Sequence, residues 1–107
     1  MEDHAYLYAL EKYGVAILAL VGAEDIRDRF YKAYKSILPL SARLMPEHLR
    51  EEHKTLKEAL TWLPVDAPGE GTLRATLRAM DHDEADRLAK KFFELYMEVQ
   101  AASYRAE

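Results

Sequence analysis

The chain has 107 residues and a formal net charge of −4; half of its residues are hydrophobic, 32% are charged, and it holds four Gly, four Pro and no Cys. That length suits one domain, whose folding buries about two-thirds of the surface the unfolded chain exposes. The composition excludes collagen-like, low-complexity and disordered classes, and the lack of Cys excludes a disulfide framework, a thiolate zinc site, an iron–sulfur cluster and a cysteine nucleophile.

The N-terminal Met1-Glu2-Asp3-His4 carries no basic region of the kind a signal peptide needs, so a cytoplasmic address is expected. The longest apolar run, Tyr13 to Ala23, is interrupted by Gly14 and Gly22. It falls short of the roughly 18–20 residues of a membrane span, and no membrane partner is expected. There is no Asn and one Gln, Gln100. A heat-adapted (thermophilic) source and a GC-rich genome would both give that bias.

Helical periodicity dominates the chain, and no stretch alternates as a half-buried strand would. The first helix is predicted from Asp3 to Val21, with Gly22 as its stop. Tyr6, Leu10, Tyr13, Ile17 and Leu20 make its core stripe, yet Leu7, Tyr8, Val15, Leu18 and Ala19 make the far side apolar too. The second helix follows Asp25 as N-cap and ends before Pro39, with Ile26, Phe30, Ala33, Tyr34 and Ile37 inward. Residues 39–45 connect, with Ser41 able to cap a helical turn. The third helix is expected from Pro46 to Leu63, where Pro64 stops it; Leu49, His53, Leu56, Leu60 and Leu63 follow the 4-3-4-3 spacing of a bundle seam. Pro64 to Gly71 reads as a loop, and Thr72 as the cap of a short helix from Leu73 to Met80. Asp81 and Glu84 have capping-box spacing ahead of a last helix from His82 to Tyr104. Its core stripe is Ala85, Leu88, Phe92, Tyr96 and Val99, and a second stripe carries Phe93, Met97 and Tyr104. The expected fold is all-α: a single-domain antiparallel bundle of four long helices and one short one.

Motifs for chemistry are sparse. A di-metal bundle site needs Glu-x-x-His pairs, and none is present. His48 and His53 project about 140° apart on a straight helix and cannot share an ion. Asp81, Asp83 and Asp86 lack the glycine and terminal glutamate of a calcium loop. No metal or other cofactor is therefore expected. Gly69-Glu70-Gly71-Thr72 precedes a helix but lacks a phosphate-binding lysine, and Glu70 and Asp66 would repel a phosphate. His53, polar within an apolar seam, reads as a core-edge histidine bonded to a tyrosine or a backbone carbonyl; a general base in a pocket is the functional alternative.

Arg27, Tyr31, Lys32 and Lys35 interleave cations with a ring, as single-stranded nucleic-acid grooves do, although the net charge of −4 opposes such binding. Arg43 and His48 frame four residues in Arg43-Leu44-Met45-Pro46-Glu47-His48. This spacing resembles the Arg-x4-His motif of the HEPN family, helical bundles that include metal-independent ribonucleases. The resemblance covers six residues and implies that Arg43 and His48 of two protomers converge on a scissile phosphate. Pro46 departs from the pattern by placing Arg43 in a connector and His48 on a helix. A third reading places a small ligand between helices, lined by Tyr6, Tyr13, His53 and Tyr96.

The surplus of apolar side chains on the first and last helices is the most informative feature. Each large one left in water forgoes roughly 1.5–3 kcal/mol of burial. A small bundle needs one apolar stripe per helix, and aromatic and Met side chains are enriched at interfaces. Leu7, Val15, Leu18, Phe93, Met97 and Tyr104 are thus expected to form a partner surface, most simply that of a two-fold homodimer, or of a complex with another protein. The function that follows is a non-enzymatic interaction module, with a nucleic-acid-acting protein and a small-ligand binder as alternatives.

Overall fold

The computed structural model describes residues 3–61 and 71–106, all of it helix and short connections. Five α-helices follow in order: α1 Asp3–Leu20, α2 Ile26–Ile37, α3 Arg50–Ala59, α4 Gly71–Ala79 and α5 His82–Ala106. Two 3-10 turns, Ala42–Leu44 and Glu47–Leu49, lie between α2 and α3. The fold is an all-α bundle in which α1 packs against α2 on one flank and α5 on the other. The expectation of four long helices is corrected by α3, which has ten residues.

Local chemistry explains most boundaries. The Asp25 carboxylate accepts from the Arg27 N–H at 2.8 Å and starts α2. Ser41 caps its 3-10 turn by accepting from the Arg43 N–H. Asp81 and Glu84 close a reciprocal capping box: the Glu84 N–H donates to Asp81 Oδ1 at 2.8 Å and the Asp81 N–H to Glu84 Oε1 at 3.3 Å. The third helix starts later than its apolar spacing predicts. The Leu49 N–H donates to the Pro46 carbonyl, closing a 3-10 turn, and Leu49 sits at φ −110°, ψ 0° before α geometry begins at Arg50. It also ends earlier. Leu60 bonds back to Lys57, and the Thr61 hydroxyl donates to the same Lys57 carbonyl at 2.9 Å, a local bond that competes with helix continuation. The predicted extension to Leu63, Pro64 and the loop up to residue 70 lie outside the described residues. Helix α4 begins at Gly71, two residues before the expected start, and Gly71 takes φ +80°, where an L side chain would be strained.

The core is organised around a run of ring contacts. His53 of α3 meets Tyr13 of α1 at 5.7 Å between centroids, Tyr13 meets Phe92 of α5 at 6.3 Å, and Phe92 meets Phe30 of α2 at 6.1 Å. Four helices are joined through four side chains that are fully buried. The inner line of α1 is Ala9, Tyr13 and Ala16, not the predicted stripe, of which Tyr6, Leu10, Ile17 and Leu20 are only half-buried. The two alanines let α2 and α5 approach and leave the larger side chains at the flanks. On α5 the buried line is Phe92, Leu95, Val99 and Ala102, so Leu95 joins the core while Ala85, Leu88 and Tyr96 stay half-buried. Of the inward residues predicted for α2 and α3, Phe30, Ala33, Tyr34, Ile37, Leu49, His53, Leu56 and Leu60 are buried and Ile26 is half-buried, while Leu63 lies outside the described residues; Leu40 and Met45 of the connector join the core.

Candidate interaction surface

The two flanks of α1 are occupied by α2 and α5, and among the described residues no element covers its outer side. The consequence is read directly in exposure: Leu7 is 51% exposed, Val15 49% and Leu18 70%. On α5, Phe93 is 51%, Met97 46% and Tyr104 70% exposed. Val21 and Leu38 are exposed as well and were not singled out by periodicity. Positions 7, 11, 14 and 18 recur along α1 at 4-3-4 spacing, and positions 93, 97, 100 and 104 do so along α5, so each set is one stripe. The stripes are adjacent. Leu7, Leu10, Gln100, Ser103 and Tyr104 line one shallow groove between the helices. Farther along, a Cβ built at Gly14 would lie 3.6 Å from the Tyr96 ring, and Tyr13 meets Phe92. The falling α5 numbers against rising α1 numbers make the pair antiparallel. The surface between the stripes is short of polar groups; Glu11 and Gln100 supply one each, and the buried Ser103 hydroxyl has no hydrogen-bond partner.

On the opposite side of α1, Tyr13 and His53 form a closed polar pair. The Tyr13 hydroxyl lies 2.7 Å from His53 Nδ1, and His53 Nε2 lies 2.9 Å from the Leu40 carbonyl. A carbonyl only accepts, so Nε2 carries the proton and Nδ1 accepts from the tyrosine. Both side chains are fully buried. Burial holds the His53 pKa below the ordinary histidine value; the Leu40 carbonyl pulls the other way, and Lys57 lowers it further. Burial likewise pushes the Tyr13 hydroxyl up, helped by the negative charge of Glu52. Every polar atom of the pair is engaged, and the arrangement ties α1, α3 and the connector together.

His53 belongs to a row of donors along α3. Arg50 donates to the Met45 and Arg43 carbonyls, and Lys57 to the Leu38 and Leu40 carbonyls. Together they satisfy the connector that follows α2. The sequence signals this row only as polar residues at i, i+3 and i+7, with no hint of their acceptors.

The remaining candidate residues are dispersed. Tyr6 and His48 line an open groove with Pro46, Glu47, Ala102 and Arg105, away from the Tyr13–His53 pair, and Tyr96 lies against Gly14. The four residues of the predicted ligand pocket therefore do not line one cavity. His48 is exposed with Glu98 3.9 Å away, and Arg43, exposed on its 3-10 turn, is not among the residues of the His48 groove. On the basic–aromatic patch the Arg74 guanidinium covers the Tyr31 ring at 3.8 Å, and Lys35 approaches the same ring at 5.6 Å. Arg27 donates to the Leu77 carbonyl, and Lys32 pairs with Glu24. The ring and all three cations of the patch are thus engaged within the chain. Among the described residues no three His, Asp or Glu side chains converge as a metal site would require, and no helix is long and apolar enough to cross a membrane.

No family model, curated protein or solved structure matches this chain.

Proposed function

We propose that this chain is a non-enzymatic helical interaction module that works through the outer face of α1 and α5 and self-associates there, as a small subunit or regulator of a larger intracellular assembly. One observation carries the reading: six large apolar side chains on two adjacent helices are each at least 46% exposed. At roughly 200 Å² for a fully open large side chain, they leave on the order of 700 Å² of apolar surface in water. A monomer commonly shows patches of about 300–600 Å². The competing chemistry is weaker, because the histidine and tyrosine with perturbed ionisation are locked to each other and to a carbonyl.

Light scattering coupled to size exclusion at low micromolar concentration tests this. The wild-type chain should elute with twice its chain mass. Leu18→Glu with Phe93→Glu should elute as a monomer of unchanged helicity by circular dichroism, because both positions are exposed within the chain. A wild-type protein that stays monomeric up to about 100 μM, where even a weak dimer of Kd in the micromolar range would form, ends the self-association reading.

A further inference from the structure

We infer that a second copy of this chain docks on the α1/α5 face about a two-fold axis parallel to the helices, so that α1 of each copy lies over α5 of the other. The inference rests on the reading that this face is a docking surface, and adds its occupant and its register. The five apolar side chains on the two stripes expose on the order of 600 Å², and with Val15 beside them the face approaches the roughly 800 Å² that each partner buries in a stable interface.

The register comes from the antiparallel pair itself. Leu7 and Leu10 share one groove with Gln100 and Tyr104, and Gly14 lies beside Tyr96, so residues 7 to 14 of α1 run beside residues 104 to 96 of α5, with Leu7 near the level of Tyr104. Both stripes then advance by 4-3-4 in opposite directions, which sets Glu11 level with Gln100, Gly14 with Met97, and Leu18 with Phe93. A two-fold axis along the helices places every α1 position opposite the α5 position of its own level in the second copy. The face is then complementary to itself. The flexible Met97 side chain of one copy lies over Gly14 of the other, where no side chain stands in its way. The Gln100 amide N–H donates to the Glu11 carboxylate, Leu18 packs on the Phe93 ring, and Leu7 packs on Tyr104. The single polar level in an apolar seam fixes the register, as a lone polar core position does in coiled coils. An axis across the helices would lay α1 on α1 instead. It would set Glu11 against its own counterpart or against apolar positions, and either arrangement strips a carboxylate of water without a partner.

Gly14 adds an independent pointer. A glycine inside a helix is disfavoured against alanine. Within this chain an added Cβ would make only an ordinary 3.6 Å contact with the Tyr96 ring. The chain's own packing does not require the missing methyl, and the proposed dimer would use the space it leaves for Met97 of the second copy.

The chain has no cysteine, so introduced ones report single pairings. Gly14→Cys chains are mixed with size-tagged Met97→Cys chains and oxidised. The mixed pair should cross-link in preference to either self-pair, whereas preferential Met97→Cys self-linking overturns the arrangement. Gly14→Leu, which sets a bulky side chain against Met97 of the second copy, should raise the dimer dissociation constant at least about tenfold with helicity retained; an unchanged constant also overturns it. If Leu18→Glu with Phe93→Glu dissociates the dimer while these arms fail, the docking face stands and only this arrangement falls. A monomeric wild type removes both.

Discussion

At Tyr13 and His53 two polar groups are taken out of water and given back one hydrogen bond each in every direction they need. Removing one partner leaves the other stranded. Tyr13→Phe keeps the ring contacts and deletes the donor to Nδ1, so it should destabilise the fold by about 1–3 kcal/mol in urea denaturation. The pH dependence has a definite sign. His53 has a lowered pKa in the folded chain, so below the ordinary value of 6.5 the unfolded chain binds the extra proton first and stability falls as pH falls. Tyr13 has a raised pKa, so above its ordinary value of 10.0 the unfolded chain loses the proton first and stability falls as pH rises. Thermal midpoints should therefore drop from pH 7 to pH 5, and His53→Gln should flatten that drop; an equal slope in the variant would show that other groups carry it. The sequence reading anticipated a histidine satisfied by a tyrosine or a carbonyl, and the structure supplies both. It could not say which tyrosine, because the two residues are 40 positions apart and only packing brings them together.

Among the helices, those whose ends are closed by their own neighbours are the ones the sequence reads well. The capping box at Asp81 and Glu84 forms as its spacing predicts, and Asp25 and Ser41 cap as expected. Asp81→Ala should cost about 0.5–2 kcal/mol in a thermal melt, with the loss felt at the N-terminus of α5 by hydrogen exchange. Helix ends that depend on distant groups read poorly. The end of α1 is closed by Arg29, which donates to the Leu20 carbonyl from the next helix. Ser36 of α2 likewise donates to the Lys12 carbonyl within α1. The late start of α3 coincides with Arg50 reaching back to the connector carbonyls. The inner lines of α1 and α5 shifted for a similar reason: periodicity names two or three apolar lines per helix, and the neighbouring helices select one of them.

For the whole molecule, the same selection leaves an apolar remainder. Two flanks of α1 are covered by α2 and α5, and nothing in the described chain covers the third. If a second copy does, folding and association are linked, and the thermal midpoint should rise with protein concentration between about 1 and 100 μM. A midpoint independent of concentration would count against an obligate dimer. The Leu18→Glu with Phe93→Glu variant should lose that dependence, since charges in the seam oppose association without touching the ring contacts that hold the monomer.

The sequence by itself determined the all-α class, the order of the helices, their local caps and the excess of apolar side chains on the first and last of them. Those properties depend on residues a few positions apart: side-chain spacing over one or two turns, and backbone groups satisfied by near neighbours. Only the tertiary structure decided which apolar line of each helix is buried, which histidine and tyrosine meet, and where the surplus lies as one face. Those outcomes depend on which helices flank which, and flanking is set by contacts between residues far apart in the chain.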